Sequence, residues 1–311
     1  MTGRPHRQCH AGPPGVPDRR GVPRSPAVQA KGTTVTWILP EEFGTDGGVI
    51  RWARLGGSLD PIVLVHGTPY SSYLWRDIAP ALALTRTVFV FDLLGYGQSD
   101  QREGQDLTLA AQTRRFVDLL AHWDIGSPSV VANDIGGAIA LRAMLLEGAA
   151  YRDLTIFDAV SGGAWERGLF KLIRDHPGAF DHLPDYAHES LVVSHLNNAT
   201  HLGFRPDVLT AHLAPWRGPH GQAAYYRQYR QLSESDTAPY EARLPRIEVP
   251  VKVLWGREDR ILPPEYGTWL HERIPHAELH WVDDAGHLLQ EDAPAQLLSH
   301  LLSGFDAERR S

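Results

Sequence analysis

"VVANDIGGAIAL", residues 130–141, passes from a run of small apolar residues to two glycines and a helix-forming stretch, with an acid, Asp134, where the direction changes. Such a passage reads as a buried strand, a sharp turn and a helix. At a turn of this kind the neighbours of the apical residue must be small, because the apical backbone is strained and the helix packs close to the strand. Ala132 and Gly136 stand two places to either side of Asp134, and Gly137 follows. Taken alone the stretch permits two readings: an acid aimed outward for chemistry, or an Asp that merely caps the helix it precedes.

The text on either side repeats the pattern. "PIVLVHG" and "RTVFVFDLLG" read as buried strands, with "SSYLWRDIAPALA" between them as a helix that starts at a Ser cap. "LTLAAQTRRFVDLLAHWDI" is a helix with apolar residues at helical spacing, and "LTIFDAV" is a further strand. Upstream, "TVTWIL" and "GVIRWARL" read as an opening hairpin about a Gly/Asp turn. Continuous apolar strands alternating with amphipathic helices imply an α/β fold: a mostly parallel sheet with an antiparallel start and helices on both faces. The alternation stops near Ser161, and residues 163–243 hold Trp, Tyr, His and Pro in helix-like stretches with no strand. It resumes with "VPVKVLWG" and "AELHWVD", and "APAQLLSHLLSGF" closes the pattern with a helix. The expected organisation is a disordered tail over 1–30, a core over 31–162 and 244–311, and a helical cap over 163–243.

The bulk composition excludes several classes. The chain has 311 residues, 42% hydrophobic and 22% charged, so it can bury a substantial core. A net charge of -7 leaves no basic stripe for phosphates, so nucleic acid is not expected as a partner. Cys9 is the one cysteine, which excludes an intramolecular disulfide and a cysteine metal site and fits a reducing cytoplasm. No apolar run approaches a membrane span. Arg19-Arg20 precedes a segment too polar for a twin-arginine signal, and the sequon at Asn198 is read as incidental. Residues 1–30 are rich in Pro, Gly and Arg and too poor in apolar side chains to offset ordering entropy.

Two further turns give Asp134 its context. "VLWGREDRILPP" places Asp259 after one apolar strand, and "VDDAGHLLQEDAP" places His287 after the last. In a parallel sheet the carboxyl ends of the strands share one edge, so all three can converge. Singly each is weak, since an acid in a turn is usually solvated and a lone His usually structural. "HGTP", residues 66–69, also follows a buried strand, and the N–H groups of Thr68 and Ile135 could together hold an oxyanion. "GYGQSD", residues 95–100, lacks the Lys and spacing of a phosphate loop and reads as a tight turn. His176, His182, His188 and His195 match no metal-ligand spacing, and neither metal nor cofactor is expected.

The order HGTP, GYGQS, ANDIGG, helical insert, WGREDRILPP, AGHLLQED resembles the α/β-hydrolase superfamily, and Asp at the elbow resembles its epoxide hydrolase and haloalkane dehalogenase branch. That resemblance implies Asp134 as nucleophile, His287 as base, Asp259 as its orienting acid, and Thr68 and Ile135 as oxyanion donors. Some dehalogenases take the acid from the preceding strand, where Asp158 stands here. An ionised carboxylate attacks saturated carbon usefully, giving an ester that water then cleaves, so epoxides and alkyl halides become the candidate substrates. Haloalkane dehalogenases typically carry Trp after the nucleophile and Asn or Trp after HG. Here those places hold Ile135 and Thr68, leaving Trp165 or Trp216 of the insert as substitutes. Epoxide hydrolases use cap tyrosines, and "GPHGQAAYYRQYR" is similar to the segment that carries one, making Tyr226 the matching donor and Tyr186 the second. Epoxide hydrolases also commonly carry Trp where Ile135 stands.

The sequence therefore leads to hydrolysis of a small apolar epoxide by a cytoplasmic monomer or homodimer. Haloalkane dehalogenation is the alternative, and a non-enzymatic ligand sensor on the same fold a second one. A fluoroacetate-type activity ranks lower, because those enzymes carry Arg after the nucleophile.

Overall fold

The computed structural model describes residues 37–57, 60–165 and 167–306; the tail expected over 1–30 lies outside the described residues. Eight strands form one sheet in the order β1-β2-β4-β3-β5-β6-β7-β8. They are β1 (Glu41–Thr45), β2 (Gly48–Gly56), β3 (Pro61–Val65), β4 (Thr87–Phe91), β5 (Ser129–Asp134), β6 (Asp153–Ala159), β7 (Val251–Gly256) and β8 (Glu278–Val282). β1, β2 and β4 pair antiparallel and every later pair is parallel. The carboxyl ends of β3, β5, β6, β7 and β8 therefore share an edge, as the alternation implied.

Alternate residues of one strand reach opposite cores. Ile62 and Leu64 pack in the cluster that contains Ala79, Leu297 and Leu301, whereas Val63 and Val65 join Phe116, Leu119, Ala138 and Ile139. A strand buried on both faces needs apolar residues at every position, which is why β3 and β4 read as unbroken apolar runs.

Two local expectations change. The first arm of the hairpin is "EEFGT"; of "TVTWIL", residues 34–36 lie outside the described residues and residues 37–39 form no strand. Trp37 donates from Nε1 to Ser72 Oγ at 3.0 Å and Leu39 N donates to Gln98 Oε1 at 3.1 Å, so the segment before β1 is held by side chains without joining a ladder. The helix read across "SSYLWRDIAPALA" is a 3-10 turn over Ser72–Trp75, capped by Ser71, and then a single helical turn over Ala79–Leu82. Pro80 stands at the start of that second turn, where its missing N–H costs nothing, but it cannot continue a helix from upstream.

The connection from β6 to β7 is helical, with its longest helices at Asp185–Asn198 and Gly218–Gln231 and shorter turns continuing to Arg246. From Trp37 onward the chain packs as one compact unit, this connection included. Among the described residues no helix is long and apolar enough to cross a membrane.

Candidate active site

Asp134 ends β5 with φ 54° and ψ -130°, a left-sided conformation that costs a non-glycine residue about 1–3 kcal/mol. It forms no side-chain cap on the helix Ile135–Leu146 that follows, so the capping reading fails. The glycines explain how the turn is tolerated. A Cβ on Gly136 would stand 2.6 Å from His66 O, and one on Gly67 would stand 2.3 Å from Cβ of Asp134. Only hydrogen at both places lets the helix and the HGTP loop close on the acid.

The carboxylate of Asp134 is held from two sides. Oδ1 accepts from Thr68 N at 2.6 Å, and Oδ2 lies 3.3 Å from His287 Nε2, at ion-pair distance. His287 Nδ1 in turn donates to Asp259 Oδ2 at 2.9 Å, while Asp259 Oδ1 accepts from Ile261 N and Leu262 N at 2.7 and 2.9 Å. All three side chains are buried. Burial by itself would lower the pKa of His287. The charge of Asp259 and the bonds to both carboxylates outweigh it and hold the imidazole well above its ordinary value. Asp134 and Asp259, expected to converge with His287 from three strand ends, thus stand on opposite nitrogens of its imidazole.

Asp158 stands beside them. It is the next-to-last residue of β6, at φ 42°, where the register of β5 against β6 slips by one residue, and it is fully buried. Its Oδ1 accepts from Gly256 N at 2.9 Å. Burial pushes its pKa well up, the charge of Asp259 adds to that, and the balance favours the neutral acid. The imidazole bonds Asp259, so Asp158 is a neighbour of the acid and does not replace it.

The surrounding loops are tied by residues the sequence alone did not single out. His66 Nδ1 donates to Gly67 O and its Nε2 accepts from Leu93 N, both at 2.9 Å, which fixes the loop that carries Thr68. Thr68 Oγ1 donates to Gln228 Oε1 at 2.7 Å, linking that loop to the helix Gly218–Gln231. Gln290 Nε2 donates to Asn133 Oδ1 at 3.0 Å, fastening the His287 loop to β5. Polar side chains at the ends of apolar runs were the available signal.

A cavity of about 230 Å³ opens above Asp134, and Thr68 and Ile135 line its floor. Tyr229 and His195 line the insert side, joined by a 3.0 Å hydrogen bond between the phenol and Nε2. Burial lowers the pKa of His195 to about 4 and raises that of Tyr229 well above its ordinary value, so both are neutral at pH 7. The two tyrosines expected as donors are elsewhere. Tyr226 bonds His188 Nδ1 at 3.0 Å inside the insert and does not line the cavity, and Tyr186 is 78% exposed. Three helical steps separate Tyr226 from Tyr229, about 60° around the axis, and that difference decides which phenol reaches the cavity. The indoles offered as halide donors are engaged: Trp165 Nε1 donates to Thr237 Oγ1 at 3.3 Å and Trp216 Nε1 to Pro69 O at 3.0 Å.

Residues 62–300 match the alpha/beta hydrolase family. An alpha/beta hydrolase fold protein from Burkholderia ambifaria is 43% identical, with 86% of this chain and 98% of that one covered and a TM-score of 0.83. The haloalkane dehalogenase DbeA from Bradyrhizobium elkani shares the fold at 21% identity, with 87% and 99% covered and a TM-score of 0.72. YugF, a hydrolase of Bacillus subtilis (strain 168), is 26% identical over 244 residues, or 77% of this chain and 88% of its own. Fold, strand order and family match agree, and the chain belongs to the alpha/beta hydrolase family.

Proposed function

We propose that this protein hydrolyses a strained or activated bond at saturated carbon, most directly an epoxide, through an alkyl ester on Asp134. The observation that carries the reading is the placement of Asp134: strained, free of capping duty, in the cavity, and in reach of His287 Nε2. In the first step the carboxylate attacks one ring carbon. The C–O bond to that carbon breaks, and the alkoxide takes a proton from Tyr229. In the tautomer with hydrogen on Nε2, His195 donates to the phenol oxygen, leaving the Tyr229 O–H free for the substrate and stabilising the tyrosinate that results.

The ester removes the negative charge of Asp134, one of the groups that kept His287 protonated. The imidazolium then gives up its proton, which restores Tyr229, and becomes a base. It activates water for attack on the ester carbonyl, with Asp259 orienting the ring and Thr68 N–H supporting the oxyanion; Ile135 N–H is the second donor proposed. The product is the diol. Epoxide opening is preferred to halide release because the donor in the cavity is a phenol, whereas the indole N–H groups of Trp165 and Trp216 are already bonded. The helical connection from β6 to β7 serves as the cap that closes the cavity. An intact chain of nucleophile, base and acid supports turnover over ligand sensing.

The test is a His287→Ala variant incubated with a panel of epoxides and haloalkanes, followed by mass measurement of the peptide containing Asp134. The expected result is a stable adduct equal to the whole epoxide mass. An alkyl adduct lacking halide would move the assignment to dehalogenation, and no adduct from either class would overturn the mechanism.

A further inference from the structure

The charges at the cavity bear on what kind of molecule enters it. Apart from Asp134, its charged lining residues are two arginines. Arg167 immediately precedes the helix Gly168–Asp175 of the insert, and Arg260 follows Asp259 in the turn after β7. Two separate parts of the fold therefore contribute an arginine to the lining of one cavity. Both residues are exposed, which places them at the rim and not at the floor.

Several arginines elsewhere on this surface are paired with carboxylates, although among the described residues Arg54, Arg243 and Arg246 are not. Arg51 pairs with Glu42 at 2.7 Å, Arg217 with Glu189 at 3.5 Å, and Arg257, three residues before Arg260, with Asp283 at 2.5 Å. Among the described residues neither Arg167 nor Arg260 has a carboxylate within ion-pair distance. Arg260 Nη2 donates to Thr200 O at 2.7 Å, and Arg167 lies 5.9 Å from the ring centre of Tyr266. Among the described residues no carboxylate meets the remaining N–H donors of either fork, which leaves them available to a ligand. In a chain of net charge -7, two cations with no acidic partner among the described residues at one opening make a local field of the opposite sign, the arrangement that concentrates small anions.

We infer that the substrate is a small organic carboxylate, its anionic group held at the cavity mouth by Arg167 and Arg260 while its electrophilic carbon reaches Asp134. This replaces the apolar substrate the sequence led us to expect. A guanidinium fork matches a carboxylate bidentately, and two of them together with the imidazolium of His287 offset repulsion by the single negative charge of Asp134. The cavity's modest volume suits a short chain between the two ends. The reacting carbon rests on the proposal for Asp134; the anion site does not.

The two can be tested apart. Binding of pentanoate and of its uncharged isostere pentanamide to the native protein is measured by calorimetry at low and high salt. The expected result is about tenfold tighter binding of pentanoate, the difference of one charge-assisted contact, shrinking as salt rises. An Arg167→Gln, Arg260→Gln double variant should bind the two equally. Arg167→Gln alone, which leaves the contact to Thr200 intact, should lose part of the preference. Equal binding by the native protein, no binding of pentanoate, or a preference that survives the double substitution would overturn the inference. Trapping with epoxides that carry a carboxylate or an amide completes the test. A carboxylate preference in binding with no adduct on Asp134 would uphold the anion site while refuting the reaction.

Discussion

The floor and the roof of the cavity are built on different principles. The floor consists of strand ends, where backbone geometry alone aims each side chain: Asp134 ends β5, Asp259 and His287 follow β7 and β8, and they meet because parallel strands end together. The roof consists of helices whose residues point in a direction set by rotation. Tyr229 faces the cavity and Tyr226 faces His188, although they are three residues apart on one helix. A strand-end site can be read from order along the chain, whereas a helical roof needs coordinates.

The floor has its own test, which carries the largest expected effect. Asp259→Asn removes the charge that holds His287 in place and should lower turnover by about 10²–10⁴, as loss of the orienting acid does in comparable triads. Asp158→Asn keeps the acceptor for Gly256 N and substitutes an amide for the neutral acid, so steady-state turnover should stay within about threefold of native. Equal losses in the two variants would mean that Asp158 shares the role of Asp259.

The roof is sharpened by a second pair. Tyr229→Phe should slow epoxide opening by about 10²-fold, the scale of a lost general acid, while Tyr226→Phe should change it by less than about threefold. Single-turnover rates of adduct formation separate the two. The opposite ranking would return the donor to Tyr226 and imply that the insert reorganises when substrate binds.

These differences mark how far the sequence could be read. The sheet, its antiparallel start and the three strand-end residues were legible because strands buried on both faces are continuous apolar runs and Gly136 and Gly67 are demanded by close approach. The first hairpin arm was misplaced because Trp37 and Leu39 look like strand residues yet are fixed by Ser72 and Gln98, far away in sequence. The phenol that lines the cavity was not singled out because "AAYYRQYR" offers three phenols and nothing in it states the phase of the helix. His195 had no signal at all: among many histidines, it is set apart only by a contact with Tyr229, 34 residues on.

The central claim is that an enzyme oxygen enters the product. It is tested most directly by a single turnover in ¹⁸O-labelled water with enzyme in excess. The account predicts heavy oxygen in the carboxylate of Asp134 and an unlabelled product, because water attacks the ester carbonyl and not the substrate carbon. Heavy oxygen in the product with Asp134 unlabelled would contradict it.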